Sequence, residues 1–169
     1  MGILHILYEK YKAYKDPIGY CRNLGAKIGE NCVLKPKMLS SEPWLINIGN
    51  HVLLAEGVQI LTHDGAGWAL GYGQDEVYYD IWGKVTIGNN VYVGVDAIIL
   101  PNVCITDNVI IGAGSIVTKD IKEDGVYVGR PAKRIKSFDE WKKGVNCKVH
   151  NTYGMTMEEK KKYFESVLK

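Results

Sequence analysis

Residues 60–73 read ILTHDGAGWALGYG and set a histidine and an aspartate side by side among four glycines and a tryptophan. An imidazole titrates near neutral pH, so His63 is suited to taking up a proton from a reacting group. Asp64 is a candidate to orient the ring, as the acid of a catalytic triad does. Adjacent residues on an extended chain point to opposite sides, however, so a backbone carbonyl or Glu56 in the preceding segment is an alternative acceptor. A plainer role is also open, with Asp64 capping its own turn and His63 solvated.

Positioning such a pair requires a scaffold, and the chain of 169 residues is long enough for one good core. Charged residues make up 24% and the formal net charge is +2, which gives no global case for binding nucleic acid or membrane. Cys21, Cys32, Cys104 and Cys147 are widely spaced without a C-x-x-C pair, as expected for free thiols in a reducing cytosol. The segment MGILHILYEKYKAYKD has too short an apolar run for a signal peptide and too many charges for a membrane span. It also lacks the Ser or Thr at position six of a myristoylation signal. A cytoplasmic protein without stable membrane insertion, beginning with an amphipathic helix, is expected; weak attachment to a membrane surface is compatible with this.

The scaffold announces itself by period. Ile87, Val93, Ile99, Ile105, Ile111 and Val117 are β-branched aliphatics six residues apart, and Val85, Val91, Ala97, Val103, Val109 and Ser115 precede them by two. Six matches neither helix nor simple strand alternation. It describes a solenoid in which three short strands and three turns make a triangular coil of about eighteen residues, stacking a ladder of aliphatics. Glycine follows the step residue at Gly88, Gly94 and Gly112, where a turn with unusual backbone angles is expected. The same period runs through Ile28 and Leu34, then through Ile48, Leu54 and Ile60. It slips twice, in KPKMLSSEPW and between Ile60 and Ile87, so residues 62–82 form a loop thrown out from the solenoid. Beyond residue 136 the period becomes helical. Ser137 with Glu140 and Thr156 with Glu159 read as capping boxes, the second leading Tyr163, Phe164, Val167 and Leu168 on one face.

Residues 87–121, IGNNVYVGVDAIILPNVCITDNVIIGAGSIVTKDI, followed by VYVGRPAKRIK at 126–136, resemble the hexapeptide-repeat acyltransferases, relatives of galactoside, maltose and polysaccharide O-acetyltransferases. The resemblance spans about 26–136. It implies a mainly β fold, a single-stranded left-handed parallel β-helix, with an N-terminal helical segment (1–25), the protruding loop 62–82 and a C-terminal helical extension (137–169). It further implies a homotrimer whose acceptor sites lie at subunit interfaces, with acetyl-CoA as co-substrate and no metal.

Acetyl transfer to a hydroxyl needs a base, donors for the thioester oxyanion and a cleft for the pantetheine arm. The resemblance gives His63 the base role. It places Val95 and Ala113 along the pantetheine, Thr118 and Lys119 at the nucleotide end, and Lys133 and Lys136 at the phosphates. Lys35 falls nearest the position where sugar acetyltransferases carry an acceptor-binding asparagine. Lysine cannot accept a hydrogen bond, so the acceptor is either anionic or held by other groups. Asp64 and Trp82 are candidate acceptor contacts, and Trp68, Tyr72, Tyr78, Tyr79 and Trp82 either stack on sugar faces or anchor the loop and the trimer interface. The form THDGAGW resembles acyltransferases of surface-polysaccharide and lipopolysaccharide assembly, implying a sugar or glycan acceptor.

Four other readings compete with this one. A γ-type carbonic anhydrase needs a close histidine pair, and His5, His51, His63 and His150 supply none. A serine acetyltransferase carries a larger helical N-terminal domain. A non-catalytic β-helix scaffold has no need of Thr118, Lys119 and Lys133 together with a loop histidine. N-acetylation of a nucleotide-linked amino sugar uses the same base and stays open.

Overall fold

The computed structural model describes residues 2–36, 39–70, 79–145, 149–152 and 154–167. Tyr72, Tyr78, Cys147 and Leu168, named above, lie outside them. The hexads become the three sides of a parallel β-helix. Side one stacks Lys27–Ile28, Ile46–Ile48, Val85–Ile87 and Cys104–Ile105. Side two stacks Val33–Leu34, Val52–Leu54, Val91–Val93, Val109–Ile111 and Gly125–Val128, and side three Gln59–Ile60, Ile98–Ile99 and Ile116–Val117. All pairings among these strands are parallel and in register, for example Leu54↔Val93↔Ile111↔Tyr127. The step residues are those that face inward: Ile87, Val93, Ile99, Ile105, Ile111 and Val117 are each at most 1% exposed.

Register dates each irregularity. A regular coil carries Val93 to Ile111, eighteen residues on. Leu34 meets Leu54 twenty residues on, and Leu54 meets Val93 thirty-nine residues on. The first coil therefore holds two extra residues and the second twenty-one. Both surpluses fall after side two and before the next side one.

The turns show a division of labour that the sequence reading merged. Positive φ is taken by Asn31, His51, Asn90 and Asn108 at the first corner and by Gly57, Asp96 and Gly114 at the second. Gly88 and Gly94 are not among the positive-φ glycines. They are glycines because the next coil lies against them: a Cβ at Gly88 would run into the Asp107 carboxylate, and one at Gly94 would sit 2.6 Å from the Ala113 nitrogen. At the first corner the side chains form a ladder, with His51 Nδ1 2.9 Å from Asn90 Oδ1, and Asn90 Nδ2 donating to Asn108 Oδ1 at 3.1 Å.

Helices close the ends. Helix α1 (Ile3–Lys15) leads to α2 (Pro17–Asn23), which starts with Asp16 accepting from the Gly19 N–H at 2.9 Å. Arg22 of α2 donates to the carbonyls of Ile28 and Gly29 and so ties the helix to the first coil. After side two the chain turns back as an antiparallel strand, Lys133–Lys136. Helix α3 (Phe138–Val145) and helix α4 (Met157–Val167) follow. Both capping boxes form: Ser137 Oγ accepts from the Glu140 N–H at 3.1 Å while Glu140 accepts from the Ser137 N–H, and Thr156 and Glu159 repeat the exchange.

Candidate active site

The longer surplus emerges at the third corner, where side three passes to the next side one; the shorter falls between Leu34 and Ile46 and reaches the same corner through Glu42. The longer begins as an antiparallel ribbon in which His63 lies opposite Trp82 and Asp64 opposite Ile81. Its base is closed by the Gly83 N–H donating to the Thr62 carbonyl at 2.8 Å, and Asn102 Nδ2 of the next coil donates to the Trp82 carbonyl. A 3₁₀ turn, Gly65–Leu70, follows Asp64. Gly67 is obligatory within it, because a Cβ there would fall into the Tyr79 carbonyl oxygen; Gly65 has open space.

The shorter surplus contributes Glu42, in the coil before. Glu42 is buried, 8% exposed, and its Oε2 takes the Thr62 hydroxyl at 2.6 Å and lies 2.9 Å from His63 Nδ1. The Ser40 hydroxyl bonds that of Thr62, which is fully buried. Burial works against the Glu42 carboxylate, but hydrogen bonds from Thr62, His63 and Ser41 overcome it and hold the group below the usual carboxyl range. The hydrogen bond to Glu42 raises the His63 imidazole above its ordinary value, against desolvation, and the charges of Glu42, Asp80 and Asp64 add to the rise. The ring also packs on Trp82, with centroids 5.0 Å apart and planes inclined at 38°. Because Nδ1 turns inward to Glu42, Nε2 belongs to the exposed side of a ring whose side chain is 40% accessible.

The expected orienting groups are thereby corrected. Asp64 accepts from the Ala66 N–H at 2.8 Å and caps its own turn, because strand alternation points it away from the His63 side. Glu56 sits at the second corner, its carbonyl accepting from the Asp96 N–H, and has no part in holding the ring. Glu42 escaped the sequence reading, yet a signal existed: the two-residue slip in KPKMLSSEPW marks where a side chain leaves the regular coil.

The other candidates spread over the prism. Val95 and Ala113 stack at the second corner, where the Gly114 N–H donates to the Val95 carbonyl at 2.7 Å. Thr118 and Lys119 are exposed at the third corner, two coils from His63, or about 10 Å along the axis. Between the two corners, Ile98 and Ile116 give side three a half-buried apolar strip. Lys133 and Lys136 do not converge: they occupy opposite ends of the return strand, beside Val128 and Val126. Lys35 follows side two in the first coil, at the second corner, while His63 follows side three. The charged groups that act on His63 are the carboxylates of Glu42, Asp80 and Asp64. A further residue missed in the sequence is Arg130, whose Nε donates to the Gly114 carbonyl at 2.6 Å and sets a guanidinium beside Gly114. Among the described residues no three of His, Cys, Asp and Glu stand together to hold a metal ion, and no helix is long and apolar enough to cross a membrane. A groove of about 820 Å³ lies elsewhere, between α3 and side two, lined by Tyr92, Ile110, Phe138 and Trp141.

Residues 84–119 match the bacterial transferase hexapeptide family, six repeats. Protein CapG of Staphylococcus aureus is 39% identical over 145 residues, 84% of this chain and 83% of that protein. Galactoside O-acetyltransferase of Escherichia coli is 33% identical over 127 residues, 75% of this chain and 61% of that enzyme. Among solved structures, a galactoside acetyltransferase in complex with coenzyme A superposes with a TM-score of 0.58 at 25% identity, over 83% of this chain and 82% of that one. With the coils, their register and these relatives together, the chain belongs to the hexapeptide-repeat transferases. It is an acyltransferase.

Proposed function

We propose that this protein transfers the acetyl group of acetyl-CoA to a hydroxyl of a sugar or surface-polysaccharide precursor, with His63 as general base. The observation that carries the reading is the His63–Glu42 hydrogen bond, 2.9 Å, at the corner where both irregularities of the solenoid meet. In the step, Nε2 takes the acceptor hydroxyl proton as the oxygen attacks the thioester carbonyl carbon. The C–S bond then breaks, the sulfur receives the proton from the imidazolium, and an O-acetyl ester and CoA–SH leave.

The donor is acetyl-CoA, and the residues suit it. The apolar strip of Ile98 and Ile116 runs between the Val95–Ala113 corner and the Thr118–Lys119 corner, with Lys133 and Arg130 at its end as groups for phosphates. That these groups occupy two corners of one prism supports a homotrimer in which neighbouring chains each supply one wall. A left-handed coil, an acyltransferase unit spanning 26–136 and a cytoplasmic site of action complete the proposal. A hydroxyl acceptor is favoured by the likeness to galactoside O-acetyltransferase. The carboxylates facing His63 favour an uncharged acceptor over the anionic one that Lys35 suggested.

The test is a screen of neutral, anionic and nucleotide-linked amino sugars with acetyl-CoA, following free thiol and identifying the product by mass and NMR. O-acetyl esters of neutral sugars are the expected outcome. Amides alone would overturn the hydroxyl assignment, and faster turnover of anionic sugars would restore the Lys35 reading.

A further inference from the structure

We propose that Glu42 is the positioning residue of the active site: it accepts the hydrogen bond of the His63 Nδ1–H, fixes the tautomer with Nε2 bare, and holds the ring against Trp82. This rests on the reading of His63 as the base. Three observations converge on it. Glu42 is buried, at 8% exposure, in a place where only its partners justify a carboxylate. Those partners leave it one free role. The Thr62 hydroxyl donates to it, Ser41 supports it, and Ser40 is bonded to Thr62, so the carboxylate is anchored from the scaffold side and turned to Nδ1. The extra residues of the first coil lie on the segment that delivers it, at the same corner as the histidine loop.

The chemistry follows from the inventory of donors. An ionised carboxylate only accepts, so Nδ1 must carry the hydrogen, and neutral His63 then presents Nε2 as its acceptor. The charged groups facing the ring are Glu42 from the first coil, Asp64 on its own strand and Asp80 beside the returning strand. Asp64 is engaged with the Ala66 N–H, which leaves Glu42 as the one in hydrogen-bond contact with the ring.

The experiment uses the whole protein and needs no acceptor for its first arm. Two-bond ¹H–¹⁵N correlation spectra of wild type are expected to show neutral His63 as the Nδ1–H tautomer; the Nε2–H tautomer would overturn the proposal without any variant. In Glu42→Gln the titration midpoint of His63 is expected to fall. In the second arm, kcat of Glu42→Gln drops at least about tenfold with KM for acetyl-CoA unchanged, and its acid limb moves to lower pH, while Glu42→Asp recovers part of the rate. An unchanged kcat, or a loss confined to KM, would overturn the positioning role. The two readings separate cleanly: if His63→Ala keeps its turnover, the base assignment fails, whereas the tautomer measured in wild type still stands or falls on Glu42.

Discussion

Thr62 and Glu42 belong to successive coils, yet the Thr62 hydroxyl donates to Glu42 Oε2 at 2.6 Å, and both side chains are buried. The residue immediately before the histidine thus locks the carboxylate that meets the histidine. Removing this donor without changing shape, as in Thr62→Val, leaves a buried carboxylate short of one hydrogen bond. Stability is expected to fall by about 1–3 kcal/mol in urea unfolding, with the Glu42 carboxyl titrating higher than in wild type.

His63→Ala is expected to lower kcat by roughly 10²–10⁴-fold, the range for loss of a positioned acid–base group. Because the ring lies apart from the side-three strip, CoA should still raise the melting temperature of the variant. Near-normal thiol release would contradict the assignment.

The pH profiles of activity and stability should diverge. A base must be neutral, so turnover falls as pH drops through the His63 midpoint, which lies above the ordinary imidazole value because of Glu42. Stability has the opposite tendency at that edge. His63, with a raised folded value, contributes fully below its unfolded value of about 6.5 and loses the contribution as pH rises through the folded one. Glu42, with a lowered folded value, contributes above its unfolded value of about 4.3 and loses it as pH falls through the folded one. The pair therefore supports the fold best between those two unfolded values, while the rate keeps rising beyond them. Parallel kcat and thermal-melting profiles, in wild type and Glu42→Gln, would show the crossing.

Two glycine substitutions should differ in sign. Gly88→Ala drives a Cβ into Asp107 and the neighbouring coil backbone, and is expected to cost about 1–3 kcal/mol. Gly144→Ala lies in α3 with nothing within 4 Å of the new atom, and is expected to stabilise by up to about 1 kcal/mol. Denaturant midpoints with unchanged slopes would confirm the pair.

Replacing Lys119 and Lys133 together by alanine should raise KM for acetyl-CoA several-fold, more strongly at low than at high salt, and leave kcat near wild type. Lys136→Ala, at the far end of the return strand from Lys133, is expected to change KM much less. Equal effects of Lys133 and Lys136 would show that the phosphates reach along the whole strand.

What is legible in the amino-acid sequence follows the physics of repetition. Ile87 to Val117 sit at fixed spacing because each packs on the same residue of the next coil, so period alone reveals the core and where it breaks. His63 was visible as a histidine in one such break. Glu42 was not, since its partner stands twenty-one residues away and is reached only when coils stack. The glycines after the step residues were rightly placed and wrongly explained, because the coil-to-coil approach that demands them is a tertiary fact. The turn-back that carries Lys133 and Lys136 as an antiparallel strand was not legible either, because the hexad period stops before it.

The placing of both length changes between side two and the next side one has a mechanical meaning. Two edges of the prism are stapled coil by coil, one by the Asn90–Asn108 rungs and the other by backbone bonds such as Gly114 to Val95, so neither can lengthen without breaking rungs above and below. The third edge is bonded at the base of the long excursion, by Gly83 to Thr62 and by Asn102 to Trp82, and opens outward beyond it. It works like the open side of a binder, where leaves of different length can be inserted while the spine stays shut. New acceptor chemistry can be fitted there by exchanging the 62–82 leaf and the short 35–45 leaf as a matched pair, and exchanging either alone should orphan its partner.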